Sequence, residues 1–256
     1  MTRPAETDVV VTETIETAEA DVVLAEALVT EVVVTYAAGV AELVAVRHGQ
    51  STANAAFAAG RPGDVSGKDA DIPLTPLGER QSWALGGQIA SWPSDRRPEV
   101  VICSPYLRAR RTYAIAAEAA EARGVTLPTP IIDERLEDRH TGAFELMPLP
   151  AIVTAGSDAF FDRPSGGESL ADVAERLAAL LTDINREYTD RRVLVVAHDA
   201  VVAVLHYLID RPSMAEFVRH LGENPAANAS ITRWINTGDG FRMTDYSRVD
   251  HLADVR

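Results

Sequence analysis

In Leu43-Val44-Ala45-Val46-Arg47-His48-Gly49-Gln50-Ser51-Thr52-Ala53-Asn54 an unbroken apolar run gives way at once to an arginine, a histidine and a glycine. The run has the length and β-branched content of a strand buried on both faces. Gly49 permits a tight turn after it, and Asn54 falls near the start of a helix expected to follow. A strand ending in Arg47-His48 carries a permanent cation and a titratable ring to the rim of a sheet.

Outward from this stretch, strand-length runs alternate with segments of helical length. Val100 to Cys103 and Val193 to Ala197 are further strands of the same kind. Pro76 to Trp92, Tyr106 to Arg123, Ser169 to Tyr188 and Ala200 to Ile209 have helical length and composition. Thr75-Pro76 and Ser104-Pro105 each set a capping hydroxyl before a proline, a helix-start signal. Ser230 to Ile235 and Phe241 to Tyr246 alternate polar and apolar residues, as edge strands do. The order predicts an α/β fold, a three-layer α/β/α sandwich around a mostly parallel sheet. Such sheets bind ligands at the carboxyl ends of their strands. Those ends carry Arg47-His48, Ser104 with Arg108 one turn later, and His198-Asp199, so two histidines and two arginines are expected on one rim.

The net charge of −14 speaks against a general affinity for nucleic acid or an acidic membrane. An anionic ligand would need a local arginine cluster. Lys68 is the only lysine, so arginine is the default cation throughout. Eight acidic residues against Arg3 alone give residues 1–40 half of the net charge. This segment is expected to be a poorly ordered acidic extension, leaving 41–256 as the folded domain. No run approaches the ~20 apolar residues of a membrane span, and no secretory signal is visible near Met1. The single cysteine, Cys103, excludes an intramolecular disulfide and ends an apolar run, as a buried thiol would. A cytoplasmic protein is expected.

The pattern Arg47-His48-Gly49-x-Ser51-x-x-Asn54 after an apolar strand resembles the defining motif of the histidine phosphatase superfamily, the phosphoglycerate-mutase-like proteins. Further resemblance follows in chain order in Pro73 to Gly78, Ser104 to Thr112, Gly166 to Ser169 and Val195 to His198. The resemblance implies that His48 is a nucleophile that becomes phosphorylated, a role suited to a neutral imidazole near pH 7. Its other ring nitrogen would donate to a backbone carbonyl. Arg47 and Arg108 would grip phosphoryl oxygens through planar, permanently charged guanidinium groups. His198 would donate to the phosphoryl group, with Asn54 as a neutral donor. Related proteins carry their general acid and base four positions before a glycine, so the resemblance implies that role for Asp138, ahead of Gly142, with Glu137 as the neighbouring alternative. Glu168 is either a helix start or a support for the pocket. Asp199 is expected to cap the helix after it and point away from the phosphate.

A phosphomonoesterase of the phosphatase branch, acting on a small phosphorylated metabolite without metal or cofactor, is the reading these residues favour. Phosphoglycerate mutase is the alternative; members with that activity carry a long insert with paired arginines, whereas Ala143 to Ser165 holds Arg163 alone. A non-catalytic phosphoryl-binding module is the further alternative. Phe160, Phe161 and the loop Ala55 to Ile72 are expected to form a lid. His140, His206, His220 and His251 lack partners at metal-ligand spacing. The natural substrate and the oligomeric state have no readable code.

Overall fold

Along β1 (Glu42–Arg47), Leu43 and Ala45 enter one apolar cluster while Val44 and Val46 enter another, because successive strand side chains point to opposite faces. Ile102 and Val101 divide the same way in β2 (Val100–Cys103), as do Val195 and Val196 in β4 (Arg192–Ala197). A sheet covered on both sides explains why these runs show no polar alternation. The computed structural model describes residues 39–146 and 160–255. Apart from Gly39 and Val40, the acidic segment 1–40 lies outside the described residues.

The sheet order is β3-β2-β4-β1-β5-β6. β1, β2, β4 and the two-residue β3 (Ile131–Ile132) run parallel. β5 (Ile231–Asn236) and β6 (Phe241–Arg248) add an antiparallel edge beside β1. α1 (Thr52–Ala58) follows β1 directly. α2 (Pro76–Ser91) and α3 (Leu107–Glu121) cover one face through Leu85, Ile89, Tyr113 and Ala116. α4 (Leu170–Glu187), α5 (Asp199–Asp210) and α6 (Met214–Glu223) cover the other through Leu177, Leu181, Val201, Leu205 and Phe217. This is the three-layer sandwich read from the sequence.

Several local readings change. Thr75 caps α2 by accepting from Gly78 N at 3.0 Å, with Pro76 in the first turn. The parallel signal at Ser104-Pro105 starts no helix there: α3 begins at Leu107, and Ser104 is drawn to His198 instead. Val40 is buried, and its N–H donates to Asn185 Oδ1 at 3.1 Å, so the packed domain starts slightly before residue 41. Phe160 is no lid residue. It is fully buried against Tyr207 and Phe217, and Phe161 packs on it from the edge of the same cluster. Among the described residues no helix is long and apolar enough to cross a membrane.

Candidate active site

The carboxyl ends of β2, β4 and β1 lie side by side, and His48 N–H donates to Ala197 O at 2.9 Å, locking two of those ends together. His48 and His198 are thereby brought within 5.2 Å, ring centre to ring centre. Both are buried. His48 Nδ1 lies 2.7 Å from Gly49 O and can only donate to it. His48 Nε2 lies 3.2 Å from Arg108 Nε. A guanidinium N–H has no lone pair to offer, so Nε2 must be the acceptor. The ring therefore carries its proton on Nδ1 and turns an unprotonated Nε2 toward Arg108. Burial pushes its pKa well below the ordinary histidine value, and Arg108, His198 and Arg47 push it further the same way.

Gly49 serves close approach rather than a turn. A Cβ there would sit 2.5 Å from Gly78 O and 2.9 Å from Ser82 Oγ. Gly49 N–H donates to Thr112 Oγ1 at 2.9 Å, and that hydroxyl donates to Arg108 O at 2.7 Å. Thr112 thus ties the segment after His48 to the first turn of α3, which carries Arg108.

Every N–H of Arg108 has a protein acceptor. Nε meets His48; Nη1 meets the carbonyl of Asp69 at 2.6 Å and its Oδ1 at 3.0 Å; Nη2 meets Asp69 Oδ2 at 3.1 Å and Asp138 Oδ2 at 3.0 Å. The arginine is held by bidentate pairing to Asp69, the geometry that carboxylates and phosphates share. Asp69, on the Ala55 to Ile72 loop, was not singled out by the sequence. Burial raises its pKa against the pull of Arg108, and Asp138 raises it further.

Asp138 approaches from a loop clamped to its neighbour. Gly142 has a φ of 54°, and a Cβ there would meet Ser165 O at 2.2 Å. Glu168 N–H donates to His140 O at 2.7 Å, and Ala143 N–H to Ser165 O at 3.1 Å. Glu168 does not cap α4, which Ser169 caps; its contacts reach the loop that carries Asp138. Its carboxylate holds Arg176 Nε at 2.9 Å and His140 N at 3.0 Å. Arg176 in turn donates to the carbonyls of Arg135 at 2.6 Å and Asp138 at 3.3 Å. Burial alone would raise the Glu168 pKa, but these partners bring it below the usual value. Glu137 turns to His140 Nε2 at 2.9 Å, so of these two neighbours it is Asp138 whose carboxylate meets Arg108.

His198 has Nε2 at 2.8 Å from Ser104 Oγ and Nδ1 at 3.4 Å from Asp138 Oδ2. Burial, then Arg108, Arg47 and Arg176, hold its pKa well below the ordinary value. Arg47 donates through Nη1 to Ala226 O, and its buried Nε has no protein partner. Asp199 does not cap its own helix: its Oδ1 accepts from Ala226 N at 2.9 Å, and its Oδ2 is 4.0 Å from Arg47. Asn54 Oδ1 accepts from Ser51 N, Ser51 Oγ and Asn228 Nδ2 at 3.0 to 3.1 Å. Its amide nitrogen is the end left for a ligand. Asn228 also donates to His48 O at 3.1 Å. Among the described residues no three His, Cys, Asp or Glu side chains form a metal-holding group.

The profile of the histidine phosphatase superfamily (branch 1) matches residues 43–248. The chain belongs to this superfamily. Within it, the chain is 27% identical over 225 residues to a metal-independent phosphoserine phosphatase of Arabidopsis thaliana, covering 84% of this chain and 85% of that one. It is 31% identical over 181 residues to a glucosyl-3-phosphoglycerate phosphatase of Mycolicibacterium vanbaalenii, covering 65% and 72%. A mycobacterial glucosyl-3-phosphoglycerate phosphatase solved in complex with VO3 superposes with a TM-score of 0.60 at 26% identity, over 80% of this chain and 98% of that one.

Proposed function

We propose that this histidine phosphatase hydrolyses small phosphate monoesters, without a metal, through a phosphohistidine on His48. The observation that carries this reading is the orientation of His48, whose Nδ1 is committed to Gly49 O while Nε2 faces Arg108 Nε at 3.2 Å. Its depressed pKa favours a neutral nucleophile.

In the first step the Nε2 lone pair attacks phosphorus and the ester P–O bond breaks. Asp138, rather than Glu137, gives its proton to the departing alkoxide. In the second step the Asp138 carboxylate takes a proton from water, the water oxygen attacks phosphorus, and the N–P bond breaks to release inorganic phosphate. Arg108, Arg47 through its unpartnered Nε, the Asn54 amide and His198 hold the non-bridging oxygens while charge shifts. The names of the relatives, phosphatases for small carboxylated phosphate esters, support a small-metabolite substrate. The lone buried thiol of Cys103 fits a cytoplasmic setting.

The test is turnover of p-nitrophenyl phosphate with chelator present, combined with an alkaline detergent quench after mixing with a labelled substrate. An acid-labile, base-stable phosphoenzyme that vanishes in His48→Ala supports the reading. Native-rate hydrolysis by His48→Ala, or an absolute need for added metal, overturns it. Net isomerisation of 3-phosphoglycerate faster than its hydrolysis would assign the site to a mutase.

A further inference from the structure

Ser104 sits at the end of β2 and is completely buried, as is His198 at the end of β4. Its Oγ accepts from Tyr106 N–H at 3.3 Å and lies 2.8 Å from His198 Nε2. A serine hydroxyl has one hydrogen to give. Among the described contacts, His198 Nε2 is the only acceptor for it. The opposite arrangement, Nε2–H donating to Oγ, would strand that hydrogen in a site without water access. It would also turn a bare Nδ1 lone pair toward the Asp138 carboxylate, 3.4 Å away. Stranding one buried donor and opposing two lone pairs both cost free energy, so both considerations favour the same tautomer. His198 Nδ1 is buried and has no hydrogen-bond partner in the protein. It faces the side where Asp138 and Arg108 meet.

We propose that Ser104 is a positioning residue: by donating to Nε2 it keeps the proton of His198 on Nδ1, where it is presented to the phosphoryl group. The hydrogen bond at one ring nitrogen decides what the other can do. A neutral ring with Nε2 protonated would offer the phosphate a lone pair and repel it. The ring of Tyr106 meets that of His198 edge to face, 5.1 Å between centres, and packs against the imidazole. The inference rests on His198 being a phosphoryl donor, but it concerns the resting protein and can be read without turnover.

The decisive measurement is a long-range proton–nitrogen correlation spectrum of the full chain labelled with 15N-histidine, at pH 7.5, with His198→Asn identifying the resonances. Wild type is expected to show His198 protonated at Nδ1 and bare at Nε2. Ser104→Ala is expected to move signal toward the Nε2-protonated form and lower kcat roughly tenfold, a loss typical of removing a support behind a functional histidine. Ser104→Thr should restore both. A wild-type spectrum with the proton on Nε2, or on both nitrogens, overturns the inference, and that reading needs no variant to fold. So does Ser104→Ala with an unaltered tautomer and unaltered kcat. A protein with the expected tautomer but no phosphohistidine would retire the mechanism and leave this inference standing.

Discussion

The carboxylate of Asp69 meets the guanidinium of Arg108 at two points, 3.0 and 3.1 Å, and with its own backbone carbonyl, Asp138 and His48 it uses every N–H that arginine has. A phosphoryl group bound by Arg108 must take the place of Asp69, since a dianion beside two carboxylates would be repelled. On the proposed mechanism the loop carrying Asp69 would therefore compete with substrate.

Removing that competitor should tighten anion binding. In Asp69→Ala the inhibition constant of inorganic phosphate is expected to fall about tenfold, the effect of releasing a site that is otherwise mostly self-occupied. The phosphate-free variant should also be less stable by about 1–3 kcal/mol, because a buried guanidinium loses a partner, and added phosphate should restore its melting temperature. Unchanged or weaker phosphate inhibition would show that Asp69 and phosphate do not exclude each other.

The two buried histidines make stability depend on pH. Their folded-state pKa values lie well below the ordinary 6.5. As pH drops through the unfolded value, the unfolded chain takes up protons that the folded chain refuses, so stability is lost downward from about pH 6.5 at up to ~1.4 kcal/mol per pH unit for each ring. Urea unfolding at pH 7.5, 6.0 and 5.0 should show a flatter decline for His198→Asn than for wild type. Parallel declines would mean the ring titrates normally in the folded protein.

Asp138→Ala should slow alkyl phosphates at least a hundredfold while p-nitrophenyl phosphate loses far less, because p-nitrophenolate departs with little need of a proton. Comparing kcat on glycerol phosphate and p-nitrophenyl phosphate checks this. Equal losses would remove Asp138 from the role of acid.

Gly49→Ala should destabilise by about 1–3 kcal/mol, since the new methyl would meet the Gly78 carbonyl at 2.5 Å and neither backbone can yield cheaply. The same displacement moves the carbonyl that holds His48 Nδ1, so kcat should fall too. Wild-type stability in chemical denaturation would refute the close-approach argument.

What could be read from residues alone follows physical range. β1, β2 and β4 are legible because burial on both faces leaves short, purely apolar runs, and their ends mark Arg47, His48 and His198. Ser104 misleads because a hydroxyl before proline is a local signal, whereas its partner His198 lies 94 residues away. Asp69 and Asn228 also act through contacts far along the chain, 39 residues to Arg108 and 180 to His48, and nothing beside them marks either one. Phe160 looked like a lid because it flanks a loop; only the packing of Tyr207 and Phe217 shows it to be core. β3 spans two residues and leaves no pattern. α6 went unread although its start carries a local signal, the reciprocal capping box of Ser213 and Glu216.

Cys103 is sealed into the sheet, and burial pushes its thiol up to about 12. Peroxide attacks thiolates, and this sulfur stays protonated and out of reach. Catalysis by an imidazole, as proposed, would offer oxidants no sulfur at the reacting centre. The enzyme should therefore keep working through an oxidative burst that silences phosphatases built on a reactive cysteine, and hydrogen peroxide treatment followed by assay would expose any hidden dependence on that thiol.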